Sequence, residues 1–279
     1  MQPPREIPWL TRLTVLFSGF YMQFGWIFFS FGMIFFWIFV MNSEIVYALS
    51  RRDWQPAQAV VLESEPTGAS VNGRTVYRHR YRYEAEGRRY EGEGFLTGQS
   101  LEPGRMLPVQ YDRRQPEESR PEAGGRALFG YEVAFVMVFP LVGLIFILIA
   151  FRQNTKALDL LVNGKFARGT LVRKEPTNTS INKQIVWRFT FSFTADDGQT
   201  YEATGSTHET WLLEDERTER LLYAPSDPSY AAMYDTIAGA PPLSRDGELQ
   251  PLPLSKTLAL VLPGVSILIH GWVYLTFFA

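Results

Sequence analysis

PTGASVNGRTVYRHRYRYEAEGRRYEGEG, residues 66–94, and PTNTSINKQIVWRFTFSFTADDGQTYEATG, residues 176–205, are two versions of one pattern. They align when Asp197 is treated as an insertion. Eleven of the 29 positions are identical, among them Pro66/Pro176, Thr67/Thr177, Val76/Val186, Arg78/Arg188, Tyr90/Tyr201 and Gly94/Gly205. In the first version Tyr77, His79, Tyr81 and Tyr83 alternate with Arg78, Arg80 and Arg82. In the second Trp187, Phe189, Phe191 and Phe193 alternate with Arg188, Thr190, Ser192 and Thr194. Strict period two with one apolar face predicts a half-buried β-strand in each.

The turns on either side are equally readable. Asn72-Gly73 separates Val60–Glu65 from Thr75–Tyr83, a type I′ hairpin signal. Glu86-Gly87 and Asp197-Gly198 lead into the next strands, Arg88–Leu96 and Gln199–Thr207. Arg105–Tyr111 and Arg217–Tyr223 supply one more strand each. Each repeat therefore predicts an antiparallel meander of four or five strands, over 51–120 and 164–235. Closure into a small barrel or sandwich is expected, because a lone sheet leaves its edges open.

Outward from the repeats lie three apolar runs, Leu13–Met41, Leu128–Phe151 and Thr257–Phe278. Each reaches the ~20 residues that cross a ~30 Å hydrocarbon core. Of all the charged residues only Glu132 lies inside a run. The overall balance of 27 Lys+Arg against 29 Asp+Glu thus averages three uncharged spans with polar modules about a quarter charged. The fold class expected is membrane α plus all-β: three transmembrane helices alternating with two small β-barrel or sandwich modules. Residues 1–12 form an N-terminal tail and 236–256 a Pro-rich extended linker. The first run reads as an uncleaved anchor, one helix longer than the core it crosses, with a short hairpin over Leu13–Leu49, each leg only marginally long enough, as the alternative; Gly25 and Gly32 share a face open to a neighbouring helix. Pro140 should kink the second run. Residues Arg113–Gly125 read as a polar connector, and Asn154–Asn163 as a helical extension of the second span.

Three crossings put the loop 42–127 and the loop 152–256 on opposite sides. Arg5, Arg12, Arg152, Lys156 and Lys256 flank one face, and Arg51, Arg52, Arg120 and Arg126 the other. That count leans to a cytoplasmic N-terminus. The expected location is the cell (inner or plasma) membrane, as a multi-pass protein.

A span, a β module with a Gly-x-x-Tyr strand and a closing Tyr-Asp-x-x-x-Pro together resemble the bacterial domain-of-unknown-function family 3592, in two tandem copies. The residues that carry it are Gly87, Tyr90, Tyr111, Asp112 and Pro116, then Gly198, Tyr201, Tyr223, Pro225, Asp227 and Pro228. The second copy has Ala224 where the first has Asp112. The resemblance implies a membrane-anchored β domain with no established activity, so it supplies no catalytic residue.

Chemistry is sparse. The chain has no cysteine and three histidines. His79 corresponds to Phe189 in the repeat, which makes it a packing position. His208-Glu209 has no second histidine four residues on, so no metal site is expected. Phosphate-binding and nucleophile-elbow motifs are missing from the sequence. The near-neutral charge disfavours nucleic acid. Two features remain as candidate interaction sites. One is the row Arg78, Arg80 and Arg82, set against Glu84, Glu91 and Glu93. The other is His270, which lies inside the third span, where ionisable residues are uncommon; Gln23 in the first span belongs with it. No catalytic residue, cofactor, metal or small-molecule substrate is expected. The function expected is a non-enzymatic membrane protein whose β modules bind a protein partner or a second copy, or organise an envelope assembly. The alternative is an accessory part of a transport or lipid-handling complex. The lipid bilayer is the expected surrounding of such a chain.

Overall fold

The structure is a computed structural model that describes residues 3–48, 52–181, 183–207, 210–213, 218–244 and 247–277. Its elements in chain order are α1 (Trp9–Phe17), α2 (Phe20–Phe35) running into a π-helical turn (Phe36–Val40), and α3 (Glu44–Ala48). There follow β1 (Trp54–Val71), β2 (Arg74–Ala85), β3 (Arg88–Thr97), β4 (Met106–Asp112) and β5 (Gln115–Pro121). A 3-10 stretch (Tyr131–Met137) then enters α4 (Val138–Asn163). The second set of strands is β6 (Lys165–Ile181), β7 (Gln184–Thr194), β8 (Thr200–Thr207), β9 (Thr218–Ala224) and β10 (Asp227–Met233). The chain ends with α5 (Leu254–Thr257) and α6 (Val261–Phe277). Two compact units result, residues 29–141 and residues 1–28 with 142–279.

In the first unit the five strands make one antiparallel sheet, ordered β3-β2-β1-β4-β5. Asn72 and Gly73 both adopt positive φ, as do Glu86 and Gly87. That is the type I′ geometry whose twist matches the flanking strands. The expected alternation holds from His79 to Ala85, where every second side chain is buried. It slips before that: Val76 is buried and Tyr77 only half-buried, because β1 carries an irregularity between Pro66 and Ser70 opposite this stretch. Ala59, Val61, Tyr81, Tyr83, Leu96, Leu107 and Val109 form the core.

Three expectations need correction here. The module is not a simple meander: β4 pairs with β1, not β3, so β1 is the central strand. Residues Arg113–Gly125 are not merely a connector, because they contain β5, with Ser119 and Pro121 buried. Nor does the sheet close into a barrel. Its edge strands β3 and β5 approach each other, and a β-carbon on Gly92 would come within 2.2 Å of Ser119. But no ladder joins them, and a bridge between Phe95 and Gly125 is the link that forms on this edge.

The second unit repeats the plan. Its sheet runs β10-β9-β6-β7-β8, the same topology with each strand replaced by its counterpart, and it too stays open. Even the irregularities recur. The β1–β2 register shifts between Val61 and Glu63 and between Pro66 and Ser70; the β6–β7 register shifts between Leu171 and Arg173 and between Pro176 and Ser180. Asp197 turns the second hairpin into a longer loop in which only Gly198 takes positive φ. Asn182, His208, Glu209 and Arg51 lie outside the described residues.

A further core in this unit joins Val15 of α1, Leu160 and Leu161 of α4, Leu222, Tyr234, Ile237 and Ala240. The extension Asn154–Asn163 is thus a packed part of α4. The Pro-rich segment is also held rather than free: Leu243 bridges Leu249, and the Arg220 side chain donates to the Ser244 carbonyl at 2.9 Å. At the N-terminus, Arg5 is buried. It donates from Nη1 to the Leu161 carbonyl at 2.9 Å and lies 4.5 Å from the centre of the Phe166 ring.

Among the described residues, three helices are long and apolar enough to cross a membrane: Phe20–Val40, Tyr131–Asn163 and Leu254–Phe277. The first apolar run is not one overlong helix. It breaks at Ser18-Gly19, where Gly19 has φ +95°, leaving a 21-residue span after α1. Asn154 closes the break by donating to the Leu16 and Ser18 carbonyls, each at 2.9 Å. Pro140 lies inside the helical span Tyr131–Asn163, near the start of α4, and the irregular part of that span is the 3-10 stretch Tyr131–Met137 just before it.

Candidate functional site

Arg78, Arg80 and Arg82 share the exposed face of β2, and each is ion-paired across strands. Arg78 meets Glu65 at 2.5 Å, Arg80 meets Glu63 at 3.1 Å, and Arg82 meets Glu91 at 2.7 Å. Both members of each pair are about half exposed, so the pairs are weakly held and screened by salt. The hydrogen bond from Arg78 holds the Glu65 carboxyl below its ordinary range. His270 belongs to the other compact unit and is half-buried in α6. On α6 only Pro263 and Ser266 are buried among the described residues.

Gln23 has a structural use. Its side-chain amide donates to the Phe17 carbonyl at the C-terminus of α1, at 2.7 Å, and to the Ala259 carbonyl in the 3-10 turn that leads into α6, at 2.9 Å. His79 is fully buried at the position Phe189 takes in the other module. Its Nε2 lies 3.1 Å from the Gln99 carbonyl and its Nδ1 has no hydrogen-bond partner. Burial pushes its pKa down, against a smaller opposite effect from the Gln99 carbonyl. Among the described residues, no three His, Asp or Glu side chains converge as metal ligands would.

The motif residues build the modules. Tyr83 is flanked by Tyr90 at 5.9 Å and Tyr111 at 6.3 Å; Phe193 is flanked by Tyr201 at 6.1 Å and Tyr223 at 5.5 Å. The Tyr83 hydroxyl donates to the Pro116 carbonyl. Asp112 accepts the backbone N–H of Asp53 at 3.2 Å and of Arg114 at 3.0 Å. Burial pushes its carboxyl up, but those bonds and nearby Arg52 outweigh burial and hold it below its ordinary range. This explains an acidic residue as a pin for the turn after β4, with no chemistry required.

A polar collar ties the end of the first span to the start of the second within residues 29–141. Glu44 accepts the N–H groups of Arg126 at 2.6 Å and Ala127 at 2.8 Å. Its own N–H donates to the Phe129 carbonyl, and the Phe129 N–H donates to the Asn42 carbonyl. The Arg126 guanidinium pairs with Glu118, which also meets Arg52 at 3.2 Å, and it lies 4.6 Å from the Tyr47 ring centre. Beside the collar opens a cleft of about 480 Å³ lined by Met41, Asn42, Tyr47, Pro66, Thr67, Arg78, Phe95, Arg126, Ala127 and Leu128. In the sequence Arg126 stands out only as a charge flanking a span. Nothing local marks it, since the cleft gathers side chains from five separate segments.

Neither a curated protein nor a solved structure matches the chain. Residues 57–126, which run from β1 through β5 to the collar arginine, match the model of a domain of unknown function, DUF3592.

Proposed function

We propose that this chain is a non-enzymatic, three-pass protein of the cell membrane that uses its β modules to hold a protein partner or a second copy of itself. A second tandem copy of the domain, β6–β10, is part of this reading, and so is a bacterial envelope setting. With three crossings, the loop holding β1–β5 and the loop holding β6–β10 fall on opposite sides, the N-terminus being cytoplasmic.

The carrying observation is an open edge found in both modules. β4 pairs with β1 only as far as Val60, and β9 pairs with β6 only as far as Thr170. Beyond those points Glu63–Val71 and Arg173–Ile181 are paired along one side alone, and their side chains are exposed or half-buried. An extended segment can add to such an edge by main-chain bonding. Pro66 and Pro176 interrupt the donor row, which limits indiscriminate pairing. The transport or lipid-handling alternative draws less support, since Gln23 already serves two carbonyls.

A photo-crosslinking amino acid placed at Glu65 or Thr179 in intact cells tests this reading. One discrete adduct, formed from these edges and not from the turn residue Arg88, is expected. No adduct, or the same adducts from Arg88, contradicts it.

A further inference from the structure

We propose that the cleft beside the collar binds the phosphate of an anionic phospholipid headgroup. Its place comes from the chain. Met41 directly follows the first span, Ala127 and Leu128 lie within four residues of the second, and all three line the cleft. One wall is therefore set where acyl chains meet headgroups, and its Met41 and Leu128 side chains suit the glycerol and upper acyl region.

The polar wall has the complementary chemistry. Arg78 and Arg126 both line the cleft, and no carboxylate does. Arg126 is largely buried, and its Nη1 has no hydrogen-bond partner while Nη2 pairs with Glu118. A buried guanidinium donor left unsatisfied is costly, and a phosphate oxygen would satisfy it with a charge-assisted bond. The Arg78–Glu65 pair is half exposed and weakly held, so Arg78 can turn to a phosphate at little cost. The volume is in the range of small-ligand sites.

The rest of the molecule provides contrasts. A neighbouring cleft of about 420 Å³ is lined by Glu44 and Glu132 as well as Arg120, a poor setting for an anion. In the second module the equivalent hollow contains Pro176, Thr177 and Arg188, matching Pro66, Thr67 and Arg78. It measures only about 190 Å³, includes Glu175, and has neither a second arginine nor an apolar wall. Arg80 and Arg82 line none of these. The site is thus specific to the first module and to one arginine of the row.

The test is native mass spectrometry of the full-length protein in detergent, titrated with phosphatidylglycerol, with phosphatidylcholine, and with inorganic phosphate as competitor. One saturable phosphatidylglycerol adduct is expected, tighter than any phosphatidylcholine adduct. R126Q and R78Q should each weaken it roughly five- to tenfold, the contribution of one cation to a headgroup contact. R80Q and R188Q should leave it unchanged. Melting in lipid-free detergent checks folding. If R126Q is misfolded, R78Q decides alone, because Arg78 is exposed and outside the core. Equal binding of both lipids, an equal loss in R80Q, or no loss in a folded R78Q overturns the proposal. Displacement by inorganic phosphate at concentrations comparable to the lipid overturns the lipid assignment in favour of a soluble phosphate.

Discussion

Gly32 and Pro140 are packed so closely that a β-carbon on the glycine would fall 2.4 Å from the proline ring and backbone nitrogen. Apolar surface gives no net drive between helices in lipid, so close backbone approach of this kind is what joins them. Gly25 repeats the device one heptad earlier, against the Gly143 carbonyl and Ile147 at 2.9 Å.

Gly32→Ala should therefore cost about 1–3 kcal/mol of stability, because the obstructing atoms are backbone and ring and cannot rotate away. Gly264→Ala on α6, where a new β-carbon meets nothing within 4 Å, should be neutral or slightly stabilising. Thermal unfolding of the two variants in detergent compares them directly. Equal effects would show that the helix contact is not what Gly32 is for.

His79 should make the protein acid-sensitive in a narrow window. Its folded pKa lies below the ordinary value near 6.5, so the unfolded chain binds the extra proton first. Stability is then fully present above about pH 6.5 and falls as pH drops through the window beneath it. His79→Phe copies the other module's Phe189 and removes a buried nitrogen without a partner. It should flatten the melting temperature between pH 7 and 5. Asp112 acts only at lower pH, since its depressed pKa loses stability as pH falls below the carboxylate range. A variant that melts as steeply with acid as the parent would rule out His79 as the source.

Thr67 and Thr177 sit 110 positions apart and do the same work. Thr67 donates to the Val76 carbonyl at 2.9 Å, and Thr177 donates to the Val186 carbonyl at 2.7 Å. Each also accepts the N–H two residues on, at 3.3 and 3.2 Å. Thr67→Val and Thr177→Val should each cost about 1 kcal/mol, and the losses should add, since the sites share no partner. Melting of the single and double variants measures both points. A cost in one module only would mean that the shared geometry is not shared energetics.

Much of this was legible in residue order because it rests on local rules. Asn72-Gly73 names its turn type, Glu86-Gly87 marks the place of the next turn, and His79–Tyr83 names its buried face. The Gly25–Gly32 face forecast a close helix neighbour. What stayed hidden depends on neighbours distant in the chain. β5 is not marked in the sequence because QPEESRP is polar on both faces, and Ser119 and Pro121 are buried by strands distant in the chain, β3 and Tyr81 of β2. Closure does not follow from strand number, because curling brings edges together without bonding them. Nothing in the first apolar run singles out Gly19 as the residue where the backbone turns. The cleft needed Met41, Thr67, Arg78 and Arg126 in one place, which no spacing announces.

The chain's lack of cysteine offers the most direct test of the three-pass account. Arg88 and Gln199 are equivalent, exposed residues just past the β2–β3 and β7–β8 turns. Single variants Arg88→Cys and Gln199→Cys in intact cells are treated with a membrane-impermeant maleimide, before and after permeabilisation. The expected result is labelling of Arg88→Cys from outside and of Gln199→Cys only after permeabilisation. Labelling of both in intact cells, or protection of both, would contradict the three-pass arrangement.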